Sequence, residues 1–348
     1  MTYATMFPIH AALNPQACTV VIVTYGNRKP YVEALLQALQ PIPVQKIILV
    51  NNAATWKVEA LLPSSVCPLE IISSSFNQGS AYGFFTGLQH ALRSSAEMIW
   101  LLDDDLEPSL ETFQQLTASY AQLSQTYPIE LLAVLAFRPA LHDALKAGIH
   151  PTLLYPRPSS FLGFHFLDIP LKLIRRWKNA QPNPSQALPS LLPLKDAPYG
   201  GLLFHRSLIQ TIGLPRTEFI LYEDDIEFTH RITDRGGKIF LATQAILQDR
   251  ESTWTSGASQ TYSNGFEKVL KNPSDLKTYY FMRNQTYFDV HGKHHSVLVF
   301  FINQWLYRGL LWCLSWIYGQ RKRYQLLLRA LHDGMEKKLG MPSDFQLE

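Results

Sequence analysis

Cysteine is scarce in this chain: Cys18, Cys67 and Cys313 stand far apart and are odd in number. That excludes a disulfide framework, offers no paired-thiolate metal knuckle and fits a reducing cytosol. Neither sign of charge is in excess. A formal net charge of +3 spreads no polyanion-binding signature over the chain, and nucleic acid is not expected as a partner. No Gly-rich turn is followed by Lys-Ser or Lys-Thr, which excludes a P-loop. No internal repeat or low-complexity tract occurs, and no Ser-His-Asp or Cys-His arrangement offers a covalent nucleophile. Residues 1–17 lack the basic start and apolar core of a secretory signal, so none is expected.

What is present is apolar and long enough for a sizeable core: 348 residues, 47% of them hydrophobic. Cys18–Thr24 is a β-branched run of the kind found in a buried parallel strand. A turn at Tyr25–Arg28 leads to a helical pattern over 31–39, ended by Pro41 and Pro43. Strands are expected at 46–50, 69–72 and 98–102, with a helix over 80–94 between the last two. This alternation predicts an α/β fold: a mostly parallel twisted sheet with helices on both faces. Ligands bind such sheets outside the carboxyl ends of the strands. Each strand here ends in polar residues, so those ends should gather on one rim. Residues 141–197 form a Pro-rich excursion with aromatics, expected to be ordered and to pass over that rim.

The strongest single signal is Asp103-Asp104-Asp105, delivered by the apolar run 98–102. An unbroken acidic triplet repels itself and calls for a cation or another positive partner. If the backbone stays extended, Asp103 and Asp105 share one face and Asp104 takes the other. Two carboxylates on one face suit a hard ion, Mg²⁺ or Mn²⁺, which can hold a diphosphate. The plainer reading is an acidic turn in which an Asp caps the helix beginning near Pro108. A second cluster, Glu223-Asp224-Asp225-Ile226-Glu227, reads as a helix start, where acids are favoured. Its functional reading makes one carboxylate a general base facing the first cluster.

In this order the motifs resemble those of family 2 inverting glycosyltransferases with the GT-A fold, in particular the galactofuranosyl- and rhamnosyltransferase branch. The resemblance covers roughly residues 18–254. It implies a metal-dependent hexosyltransferase of cell-envelope polysaccharide biosynthesis. Val23–Arg28 looks like the opening nucleotide-binding segment, which makes Thr24, Tyr25, Asn27 and Arg28 donor-binding candidates. Asn51-Asn52 stands where relatives often carry an Asp-Asn pair, which makes Asn51 a donor-binding candidate, and Asn77 and Gly79 stand in the segment opening the next helix. Asp103–Asp105 matches the D-x-D position: Asp103 and Asp104 toward ribose and diphosphate, Asp103 and Asp105 toward the metal. Gly200 and Gly201 are similar to the small residues beside the sugar pocket. Asp225 takes the place of the catalytic base, with Asp224 and Glu227 in support. Asp249 falls where many relatives have a metal-ligating His, and is the third ligand candidate. Tyr279–Asn284 and Leu331–Gly334 are similar to C-terminal motifs of the branch.

The implied partners are a divalent cation, a nucleotide-diphosphate sugar, and a glycan or lipid-linked oligosaccharide acceptor. The expected organisation is a catalytic domain over 1–265 and a helical region over 266–348, at the cytoplasmic face of the inner membrane. Residues 296–319 are rich in Leu, Phe, Trp and Tyr, and Arg321-Lys322-Arg323 follow. Peripheral contact with a bilayer through 296–323 is expected, against an ordinary core helix or a true span. Trp254 and Tyr262 are candidates for stacking on sugar rings. Two rivals remain: an inactive nucleotide-sugar-binding scaffold, and a nucleotidyl- or phosphoryl-transfer enzyme, since acidic triplets also serve two-metal chemistry.

Overall fold

The structure is a computed structural model that describes residues 17–64, 67–146, 155–170, 188–251, 262, 264–292 and 294–347. Its first strands are β1 (Cys18–Gly26), β2 (Lys46–Ala54), β3 (Leu69–Ser74) and β4 (Met98–Asp103). The short β5 (Leu106–Glu107), β6 (Leu132–Phe137), β7 (Leu191–Leu194), β8 (Leu202–His205), β9 (Lys238–Ile246) and β10 (Gln248–Asp249) follow. Eight of these form one sheet in the order β3-β2-β1-β4-β8-β6-β9-β7, while β5 and β10 pair separately. β3, β2, β1 and β4 are mutually parallel, and β6 runs parallel to β9. Within this sheet only β8 and β7 run against their neighbours. This is the expected α/β class, a mostly parallel sheet.

Continuous apolar runs form the central strands because both sheet faces are covered. On one face α1 (Lys29–Leu39) and α3 (Leu110–Ser124) bury Leu35 and Phe113 against Val20, Ile22 and Trp100. On the other, α2 (Ser80–Ala91), α4 (Ser207–Ile212) and α5 (Asp224–Asp234) set Leu88, Ile209 and Phe228 against Val21, Ile99 and Phe204.

A third core lies outside the sheet. It joins α6 (Gly265–Lys271), α7 (Asp275–His291), α8 (Val297–Ile317) and α9 (Arg321–Met335), so the C-terminal region is helical as expected. Phe161 and Phe164, from the Pro-rich excursion, are buried in this core rather than in the sheet layers. They meet Tyr307 edge-on.

Two local expectations are corrected. The triplet does not continue as a strand: β4 stops at Asp103, and Asp104 and Asp105 form a turn. The alternation of faces therefore does not apply to them. Nor does an Asp cap α3; the Ser109 hydroxyl accepts from the Thr112 N–H at 3.0 Å.

Candidate active site

The carboxyl ends of β1, β2, β4 and β6 meet at one rim, which opens into a cavity of about 1480 Å³. The polar side of its lining includes Tyr25, Arg28, Asn52, Asn77, Asp103, Asp104, Asp105 and Arg138. Asp224 and Asp225, at the start of α5, line the same cavity. The cavity continues between the helices of the third core, where Phe266, Val269, Leu276, Phe281 and Met282 make it apolar.

Arginines hold the first cluster. Arg28 Nε donates to Asp104 Oδ1 at 2.7 Å and Nη1 to Glu251 Oε2 at 2.7 Å, while Nη2 stands 3.6 Å from Asp105. Thr24 Oγ1 donates to the other Asp104 oxygen at 2.7 Å. Burial still pushes the Asp104 carboxyl up to about 6, opposed by Arg28 and Thr24. Arg138 bridges two strand ends: Nη1 donates to Asp103 Oδ2 at 2.9 Å, and Nε to Asp249 Oδ1 at 3.0 Å. Gly200 makes room for this bridge, because a Cβ there would lie 2.2 Å from Asp103 Oδ2 and 2.5 Å from Arg138 Nη1.

The second cluster is positioned by strained backbone. Ile220, Tyr222 and Glu223 have φ of 67°, 64° and 62°, a region non-glycine residues rarely occupy. Buried Asn284 on α7 holds this loop, its amide nitrogen lying 3.0, 2.9 and 2.8 Å from the carbonyl oxygens of Phe219, Leu221 and Tyr222. Arg283 Nη2 adds a bond to Phe219 O at 3.0 Å. From the other side, Gly79 (φ 87°) lets the loop approach α2, since a Cβ would come within 2.0 Å of Ile220 O. Ser80 then donates to Asp224 at 3.1 Å. Asp225 Oδ1 accepts from the Ile226 N–H at 2.8 Å.

No arginine offsets this burial at Asp225. Its carboxyl rises to about 7, chiefly through burial, with Asp103 nearby adding to the rise. Burial and the adjacent Asp225 hold Asp224 well above the usual carboxylate range. Both carboxyls are raised together, and a value of about 7 at Asp225 lies near neutrality, where a general base works best.

Several candidates lie elsewhere. Asn51 points along the sheet, donating to Ser73 Oγ at 3.1 Å and accepting from the Ala54 N–H at 2.8 Å. Its neighbour Asn52 faces the cavity instead and donates to Asn77 and to Gly79 O. Thr24 is buried behind Asp104, and Asn27 is exposed. Gly201 packs beneath the rim, its N–H donating to Leu101 O at 2.8 Å. Glu227 lies outside the cavity lining, with Oε2 3.2 Å from Arg231 on the same helix. Trp254 falls outside the described residues, whereas Tyr262 is described at the entry to α6.

The set of donors fits a divalent cation only in part. Burial, together with Asp103 and Asp104, pushes the Asp105 carboxyl up to about 7, a concentration of negative charge that a hard cation would relieve. Asp103 and Asp105 suit that role. Asp249 gives Oδ1 to Arg138, while its Oδ2 is buried without a hydrogen-bond partner. Among the described residues no three His, Cys, Asp or Glu side chains gather as a ligand set.

Sequence reading missed Arg138 and, within the Asn51-Asn52 pair, favoured Asn51 where the structure turns Asn52 to the cavity. Arg138 carries no motif, but it follows the apolar run 132–137 as the other rim residues follow theirs, and that was the available signal.

Comparison with known proteins agrees with the order of motifs. Residues 19–126 match the model of glycosyl transferase family 2. The chain is 25% identical over 225 residues to galactofuranosyltransferase GlfT1 of Mycolicibacterium smegmatis, covering 62% of this chain and 65% of that protein. To its namesake in Mycobacterium tuberculosis it is 25% identical over 220 residues, covering 62% and 64%. The chain thus spans just under two thirds of the length of these relatives. Among solved structures, S. aureus TarS 1-349 in complex with UDP-GlcNAc aligns with a TM-score of 0.49 at 12% identity, over 92% of this chain and 82% of that one. GalNAc-T7 with UDP, GalNAc and Mn²⁺ aligns at 0.46 and 11% identity, over 67% and 43%. By its motifs and by the family match over residues 19–126, the chain carries a family 2 glycosyltransferase domain.

Proposed function

We propose that this protein is an inverting glycosyltransferase. It moves galactofuranose, rhamnose or a related sugar from a nucleotide-diphosphate donor to a cell-surface glycan or lipid-linked acceptor at the cytoplasmic face of the membrane. One observation carries the reading: the Asp103–Asp105 turn and Asp225 line a single cavity, close enough for Asp103 to raise the Asp225 carboxyl. The family match and the relatives named galactofuranosyltransferases support the reaction class and the sugar.

The donor lies along the rim, its nucleoside toward Tyr25 and Arg28 and its amide contacts made by Asn52 and Asn77. Asp103 and Asp105 would hold a divalent cation, which would offset charge on the departing diphosphate. Arg138 keeps Asp103 oriented and neutralises Asp249. Asp225 takes the proton from the acceptor hydroxyl as that oxygen attacks the anomeric carbon. The bond to the diphosphate breaks on the opposite face, the nucleoside diphosphate leaves, and a single displacement inverts the centre. Glu227, paired with Arg231, supports α5 and does not touch substrate.

A thermal-shift screen of nucleotide sugars, with and without Mn²⁺, tests the donor, because a ligand that binds only the folded state raises the melting temperature. Product analysis then tests the reaction. Nucleoside diphosphate and a glycosylated acceptor are expected; pyrophosphate or inorganic phosphate as the primary product would point to the nucleotidyl- or phosphoryl-transfer rival, and donor binding without turnover to the scaffold.

A further inference from the structure

Most of the exposed large hydrophobic side chains among the described residues lie on α8, Val297–Ile317. At 21 residues and about 1.5 Å per residue, it is long and apolar enough to cross a membrane, yet only 22% of its most apolar window is buried. Its inner stripe, Phe300, Asn303, Tyr307, Leu311 and Ser315, follows helical spacing and faces the third core. The outer stripe follows the same spacing and is also apolar: Leu298 (71% exposed), Phe301, Trp305 (77%), Trp312, Trp316 and Ile317 (74%).

The inner face cannot be given up to lipid. Asn303 donates to Ser159 O at 2.8 Å and accepts from the Phe166 N–H at 2.9 Å, tying α8 to the body of the protein. The helix is therefore fixed lengthwise on the surface. Charge defines what covers it. Residues 290–332 contain no Asp or Glu, while Arg308, Arg321 and Lys322 are exposed beside the apolar stripe. Arg321 lies over the Trp316 ring at 3.6 Å, an amphipathic pair suited to a headgroup layer. Three exposed tryptophans flanked by unopposed cations match the two components of an anionic bilayer surface, acyl boundary and charged headgroups.

We propose that the outer face of α8 is a docking surface for an anionic lipid bilayer, with the helix lying in the interface plane. Tyr307 and Leu310 of the same helix line the large cavity, so docking sets the cavity's apolar end beside the membrane. The inference is independent of the transfer reaction.

Co-sedimentation of the full chain with vesicles tests it. Binding is expected to vesicles of phosphatidylglycerol and phosphatidylcholine at 3:7, to weaken by roughly tenfold or more in pure phosphatidylcholine, and to fall with salt. Arg321→Glu/Lys322→Glu should remove the preference for anionic vesicles. Trp305→Ser/Trp312→Ser/Trp316→Ser should abolish binding to both, and wild-type tryptophan emission should shift to the blue on binding. Melting temperatures without ligand should be unchanged in both variants, which reports that they fold, while donor-induced thermal shifts, read separately, bear only on the transferase reading. Absence of binding to either vesicle, or equal binding by wild type and both variants, overturns the proposal. So does a wild-type dimer that the tryptophan variant makes monomeric without any vesicle binding, since the face then belongs to a second copy.

Discussion

The two acidic clusters of the cavity are built in opposite ways. At the end of β4, Asp103 and Asp104 are gripped by Arg138 and Arg28, and the backbone turns without strain. At the start of α5, Asp224 and Asp225 are held by a hydroxyl and a backbone N–H, on a loop with three residues at positive φ. A carboxylate that must hold charge against a diphosphate and cation needs positive partners to stay ionised when buried. A carboxylate that must accept a proton needs the reverse: burial without a cation, which brings its titration near neutrality. On the proposed reading, the arginines at Asp103 and Asp104 set the binding cluster apart from the proton-transfer cluster, whereas Asp105, 3.6 Å from Arg28 and still pushed up to about 7, relies on a cation to stay ionised.

Breaking the arginine grip on the first cluster should act mainly on stability. Arg138→Met leaves buried Asp249 without its cation and should cost about 3–5 kcal/mol of folding free energy by chemical denaturation. Adding Asp249→Asn should restore a large part of it. Breaking the second cluster should act on turnover. Asp225→Asn should reduce kcat by on the order of a hundredfold or more in a transfer assay and leave the melting temperature near wild type. Equal losses of stability in the two variants would erase the contrast.

Asn284→Leu sharpens the comparison further along the chain. It removes the donor shared by the carbonyls of Phe219, Leu221 and Tyr222 and should cost roughly 1–3 kcal/mol. Because the loop delivers Asp225, kcat should fall while donor affinity changes little. The pH dependence tests the same residue without a substitution. With Asp225 raised to about 7, kcat should climb by about tenfold per pH unit below that value and level off above it. Stability has the opposite sign at this residue. The folded state holds the proton between the ordinary carboxyl range and about 7, so its contribution declines as pH rises through that window. A kcat that is flat from pH 5 to 8 would remove the assignment of Asp225.

Much of the frame was legible because buried parallel strands are written as apolar runs. The expected strands at 46–50, 69–72 and 98–102 appear as Lys46–Ala54, Leu69–Ser74 and Met98–Asp103. Each extends into the polar residues that end it, so the rim is partly strand. Side-chain alternation along β2 turns Asn52, not Asn51, into the cavity, and a motif match alone does not resolve a one-residue register. The Arg138 bridge joins residues 35 and 111 positions apart. No local pattern announces such a contact. The same holds for Asn284, whose role depends on a loop more than 60 residues earlier.

The most direct test of the division between the clusters is calorimetric titration of the nucleotide-sugar donor with Mn²⁺ into wild type, Asp105→Ala and Asp225→Asn. Donor affinity should drop sharply in Asp105→Ala and stay within a few-fold of wild type in Asp225→Asn. Undiminished affinity in Asp105→Ala, or its collapse in Asp225→Asn, would contradict the account.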